Sequence, residues 1–129
     1  MDACKVSATL PGTVEQLSAA WVDGAGHAEM TGMPATSDPV VGGRFTALGG
    51  DVAGTHLELD LPNRIVQAWR SLAFPPEAPD SRLEVTFSPI RGGCVIVVEH
   101  TGLPPGSGDK HARGWEDFYF EPMREWLRG

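Results

Sequence analysis

The sequence is poor in several things at once, and each shortage removes a class of protein. Two cysteines, Cys4 and Cys94, with no CxxC spacing leave nothing for a disulfide framework or a thiolate zinc site. The four histidines, at 27, 56, 100 and 111, never pair at metal-ligand spacing, so no metal and no cofactor are expected. Basic charge is scarce: 10 Lys and Arg against 17 Asp and Glu give a net charge of -7. A chain that acidic lacks the cationic surface a nucleic-acid binder needs, and anionic membrane surfaces would repel it. No apolar run approaches twenty residues and Met1–Ser7 has no signal-like core, so neither membrane insertion nor export is expected. The reading is a reduced, cytoplasmic protein. No serine sits in a GxSxG turn, and no glycine pair opens a helix in a way that would cradle phosphate.

What is plentiful is turn residues, 16 Gly and 11 Pro, and between them short patterned segments. Lys5–Leu10 alternates as a strand. Thr13 and Gln16 form a capping box, and Val14, Leu17 and Trp21 share one helix face. Asp23-Gly24-Ala25-Gly26 breaks that helix, and His27–Thr31 forms a second, with Met30 and Met33 as apolar contacts. Pro34–Pro39 reads as loop. The period then falls to two, through strands at Gly43–Leu48, Val52–Asp60, Ile65–Arg70, around Leu83–Phe87 and at Cys94–Thr101. In the second of these, Leu57 and Leu59 are expected on the inner face, with His56 and Glu58 outside. Phe74–Pro79, with three prolines, reads as loop.

The last segment, Asp109–Leu127, is the most distinctive. At helical spacing Trp115, Phe118, Tyr119, Pro122, Met123 and Trp126 fall in one arc, with Phe120 and Leu127 at its edge. Asp109 is the expected N-cap, and the span is about 28 Å. Pro122 inside it must kink the axis. The order β-α-α-β-β-β-β-β-α implies an α+β fold: a six-stranded antiparallel sheet wrapped round a long C-terminal helix, in one domain over residues 1–129.

Gly42-Gly43-Arg44-Phe45, Gly54, Arg64–Arg70 and Gly114–Met123, with Met30–Thr36 after the second helix, resemble the activator of heat-shock protein 90 ATPase homologue-like family. That family lies in the START-like (SRPBCC) superfamily, the helix-grip fold also seen in the birch pollen allergen. The resemblance implies an apolar cavity between sheet and C-terminal helix, used across the superfamily for lipids, hormones and polyketides. It also implies a chaperone as partner. In the eukaryotic activator, a domain carrying much of the ATPase stimulation precedes the one resembled here, and these 129 residues hold no counterpart of it.

The expected ligand is an apolar or amphipathic small molecule. Its contacts are expected from Trp21, Met30, Met33, Phe45, Leu57, Trp69, Phe87, His100, Trp115, Phe118, Tyr119 and Met123, any of which could equally be plain core. No residue is assigned a catalytic role. A cyclase- or aldol-type enzyme on the same fold is the alternative, with His100, Tyr119 or Arg70 supplying acid, base or oxyanion contacts. Arg70 could also hold a ligand carboxylate, or pair with a neighbouring acid. His27, His56 and His111 are expected at the surface. Use of part of the helix in a homodimer stays open.

Overall fold

The computed structural model describes residues 1–129. β1 (Asp2–Leu10) is followed by α1 (Val14–Val22) and α2 (Gly24–Thr31), then β2 (Thr36–Ser37), β3 (Arg44–Ala47), β4 (Val52–Asp60), β5 (Arg64–Ser71), β6 (Ser81–Ile90) and β7 (Gly93–Leu103). The chain ends in α3 (Gly108–Trp115), a π-helical segment (Glu116–Phe120) and α4 (Glu121–Leu127), which run on from one another. The strands form one antiparallel sheet in the order β1-β7-β6-β5-β4-β3-β2. It has seven strands, not six. Thr36 and Ser37, placed in a loop by the prolines around them, pair with Thr46 and Phe45 as a two-residue edge strand. No helix is long and apolar enough to cross a membrane.

Local chemistry explains each boundary. The Thr13 hydroxyl accepts from the Gln16 N–H at 3.0 Å and starts α1. α2 starts earlier than expected, because Asp23 is itself a cap: its carboxylate accepts from the Gly26 N–H at 2.8 Å. The turn read as a break is therefore one residue long. Gly32 at φ 76° closes α2 in the left-handed region. Asp109 does not cap α3. The N-cap is Ser107, and the Gly108 N–H is satisfied by the carboxylate of Asp2 at 2.9 Å, so the first strand caps the last helix.

Two irregularities redirect side chains. β4 carries a bulge: His56 pairs with Gln67, but Glu58 already pairs with Val66. The extra residue is Leu57, and it breaks the period of two. His56 consequently points into the core and Leu57 is 44% exposed, the reverse of the expected alternation. The second irregularity is the π segment. Pro122 has no N–H to give to Phe118, and the Glu121 N–H reaches back five residues to Glu116. That wider turn advances the phase of the helix. Phe120 becomes 1% exposed and Phe118 53%, again the reverse of an ideal helix.

The core lies between the helices and the inner sheet face, where Leu83, Val85, Phe87, Ile96 and Val98 meet Leu17, Trp21, Met30, Phe120 and Met123. Gly54 is the tightest point of this face. It pairs with Phe45 on β3, and the Phe45 ring covers it. A Cβ there would overlap the Ala68 carbonyl oxygen and sit 2.7 Å from the Phe45 ring. Gly54→Ala is expected to cost about 1–3 kcal/mol in urea unfolding through overpacking. An unchanged midpoint would show that β4 and Phe45 give way.

Candidate functional site

A partly open cleft of about 320 Å³ lies between the C-terminal helix and one end of the sheet. Trp69 at the end of β5 forms its floor, and Trp115, Phe118 and Tyr119 line it from the helix. Leu48 borders it from the β3–β4 connection, Val52 from the start of β4, and Phe74 from the loop after β5. Gly114, one residue before Trp115, completes the helix wall. An added Cβ there would meet only Phe118, at an ordinary 3.7 Å.

The walls are held by neighbours rather than left loose. Arg70 fixes the loop that carries Phe74: its guanidinium donates to the carbonyls of Ala78 (2.6 Å), Pro75 (3.0 Å) and Pro76 (3.4 Å) and pairs with Asp80. Phe74 then packs against Trp69 and His111, with ring centroids 5.9 and 5.8 Å away. Behind the cleft, Tyr119 stacks on Trp21 at 5.0 Å and lies 4.7 Å from Trp115. Such aromatic contacts add stiffness beyond the area they bury.

Three histidines are buried and each is locked. The Trp115 indole N–H donates to Nδ1 of His100 at 3.2 Å, so the ring proton sits on Nε2 and goes to the Ser81 hydroxyl at 2.8 Å. That hydroxyl passes its own proton to the Trp69 carbonyl at 2.7 Å. Burial, and then the neighbouring His111, push the His100 pKa down to about 3. Nδ1–H of His27 donates to the Trp21 carbonyl at 2.8 Å, and its Nε2 accepts from the Tyr119 hydroxyl at 2.7 Å. Burial lowers His27 to about 4 and raises the Tyr119 phenol. His56 bonds Ser37 at 2.8 Å and Gln67 at 3.3 Å, and burial lowers it too. His27 and His56 are thus interior, not surface, residues, and His111 is half-buried in the cleft wall.

The expected ligand contacts divide into three groups. Trp69, Trp115, Phe118 and Tyr119 line the cleft. Trp21, Met30, Phe45, Phe87, His100 and Met123 are buried and do not line it. Met33, 37% exposed, and Leu57, on its bulge, lie at the surface. Phe74, Lys110, His111 and Gly114 line the cleft without having been singled out. Phe74 stands in a proline-rich loop that has no period to read. Gly114 did carry a signal, since glycine inside a helix costs about 1 kcal/mol relative to alanine and asks for a reason. The three residues suggested for acid–base or oxyanion work are all engaged by the protein itself. His100 uses both nitrogens, the Tyr119 hydroxyl is committed to His27, and Arg70 is spent on its loop.

The fold is shared with solved structures. An HSP90 activator from Plasmodium falciparum superposes with a TM-score of 0.86 over 98% of this chain and 96% of its own, at 21% identity. The Aha1 dimer from Colwellia psychrerythraea gives 0.78 over 98% and 96%, at 12% identity. In sequence, Activator of 90 kDa heat shock protein ATPase homolog 1 of Homo sapiens is 30% identical over 95 residues, 74% of this chain and 28% of the human protein. The chain therefore spans under a third of the length of that relative. Residues 12–128 match the sequence profile of one family, and the helix-grip arrangement of sheet and terminal helix agrees with it: the chain belongs to the Activator of Hsp90 ATPase homolog 1-like proteins.

Proposed function

We propose that this protein binds an apolar or amphipathic small molecule in the cleft between the C-terminal helix and the sheet. The observation that carries the reading is the cleft itself, about 320 Å³ with five aromatic side chains, Trp69, Phe74, Trp115, Phe118 and Tyr119, on its wall, at the lower end of the size range of small-molecule sites. Gly114 supports it. A helix interior without a ligand to accommodate would gain from alanine, yet glycine keeps the wall open beside Trp115.

The test uses a neutral apolar probe, N-phenyl-1-naphthylamine. Its fluorescence should rise on addition of protein, and the melting temperature should rise with probe concentration, since a ligand selective for the folded state must stabilise it. Gly114→Leu should fill the cleft, reduce probe binding at least about tenfold, and leave the protein as stable or up to about 1 kcal/mol more so. Equal probe binding by both proteins would remove the cleft as the site.

A second reading has its own support in the 95-residue match to a heat-shock ATPase activator. On that reading the domain docks on a chaperone, and, as in the Colwellia relative, a homodimer is a form it could take. Stimulation of the ATPase of its host's 90 kDa heat-shock protein supports it, and no change in rate at saturating protein ends it.

A further inference from the structure

The polar groups of the cleft narrow the ligand further, on the assumption that the small-molecule reading above holds. Each side-chain hydroxyl on its wall already has an acceptor. Ser71 donates to Asp51 at 3.3 Å, Ser107 to the Pro104 carbonyl at 2.6 Å, and Tyr119 to His27 at 2.7 Å. His111 gives its Nδ1–H to the Ser107 carbonyl at 2.9 Å. Two side-chain donors on the wall remain uncommitted, the indole N–H of Trp69 and the ammonium of Lys110, and of these only Lys110 carries a charge. It takes part in none of the ion pairs, and it is the only Lys or Arg on the wall. Arg70, the other cation nearby, is consumed by the carbonyls of its loop and lines only the neighbouring hollow behind Asp51 and Ser71.

Size limits the body of the ligand. A closed apolar cavity of about 150 Å³ holds one benzene ring. The cleft, at about 320 Å³, has room for roughly two. Four aromatic side chains, Trp69, Phe74, Trp115 and Phe118, line it, and a planar aromatic body suits them.

We propose that the cleft is selective for small aromatic monocarboxylates, with a body of about two fused rings among these four side chains and the carboxylate at Nζ of Lys110. Asp51, the one acid on the wall, accepts from the Ser71 hydroxyl and keeps its charge, so a cationic compound tests its influence against that of Lys110.

The experiment titrates the protein with 2-naphthoate, neutral 2-naphthamide and cationic 2-naphthylmethylammonium, followed by calorimetry and by quenching of tryptophan emission, since Trp69 and Trp115 line the site. Naphthoate should bind about three- to tenfold more tightly than the amide, a modest preference because Lys110 is exposed. Lys110→Gln should bring the naphthoate and amide affinities together, and Lys110→Glu should favour the ammonium. Lys110 is exposed on α3, so both variants should fold. Naphthoate binding no tighter than the amide, a preference surviving Lys110→Gln, or tightest binding of the ammonium by the unaltered protein would each overturn the proposal while the cleft reading stood. Failure of all three compounds together with N-phenyl-1-naphthylamine would overturn both.

Discussion

Acidifying the protein from pH 7 to pH 5 should remove about 4 kcal/mol of stability from two side chains alone. His27 and His100 have pKa values of about 4 and about 3 in the folded protein against an ordinary 6.5. Below pH 6.5 the unfolded chain takes up a proton at each ring, while the folded chain does not. Where the unfolded state binds more protons, stability falls as pH falls. Each ring then costs about 1.4 kcal/mol per pH unit, over about 1.5 units for two rings between pH 6.5 and pH 5. Stability is highest above 6.5, falls through the window below it, and levels off once pH passes the folded values. His56, also lowered, adds in the same direction. Carboxylates in the unfolded chain titrate mainly below this window, so they contribute little to the slope. Urea midpoints at pH 7, 6 and 5 measure the effect. With total stabilities of domains near 5–15 kcal/mol, a loss of this size is easily seen. A flat profile would mean that both rings gain access to water, and a loss of half the expected size that one does, which imidazole NMR shifts would identify.

The same histidines show how far the sequence could be read. Strand positions with a regular period were legible. His100 shares a face with Cys94, Ile96 and Val98, and it is buried as that alternation demands. His56 failed the same logic because one inserted residue at Leu57 reverses every side chain on one side of it, and composition does not mark where a bulge falls. His27 failed for a different reason. Its burial depends on Tyr119, 92 residues away, whose hydroxyl supplies the partner a buried imidazole needs. The order of the helices and of the long strands followed from caps and turns. Thr36–Ser37 was missed because two residues are too short to show a period. For the cleft, the aromatic arc on the last helix led to Trp115, Phe118 and Tyr119. The opposite wall was hidden, because Phe74 is placed by Arg70 bonding to three loop carbonyls. A contact between an arginine and backbone carbonyls leaves no trace in the pattern of side chains.

Phe118→Ala and Phe120→Ala should differ in cost by several kcal/mol, and in the direction an ideal helix would not give. On an uninterrupted 3.6-residue period, Phe118 lies with Trp115 and Tyr119 in the centre of the apolar arc, and Phe120 at its edge. The π turn changes that. Pro122 has no N–H to give to Phe118, the Glu121 N–H spans five residues, and the phase of the helix shifts. Phe120 is carried into the core beside Met123, whereas Phe118 is left 53% exposed at the rim of the cleft. Truncating a fully buried phenylalanine costs about 3–5 kcal/mol, from lost transfer and the cavity left behind. An exposed one costs well under about 1 kcal/mol. Phe118→Ala should instead be felt in binding, as weaker N-phenyl-1-naphthylamine affinity at nearly unchanged stability. Urea unfolding of the two variants tests the phase directly. Equal costs, or a larger cost at Phe118, would mean that the helix passes Pro122 by a kink rather than a π turn. The aromatic wall of the cleft would then have to be redrawn with it.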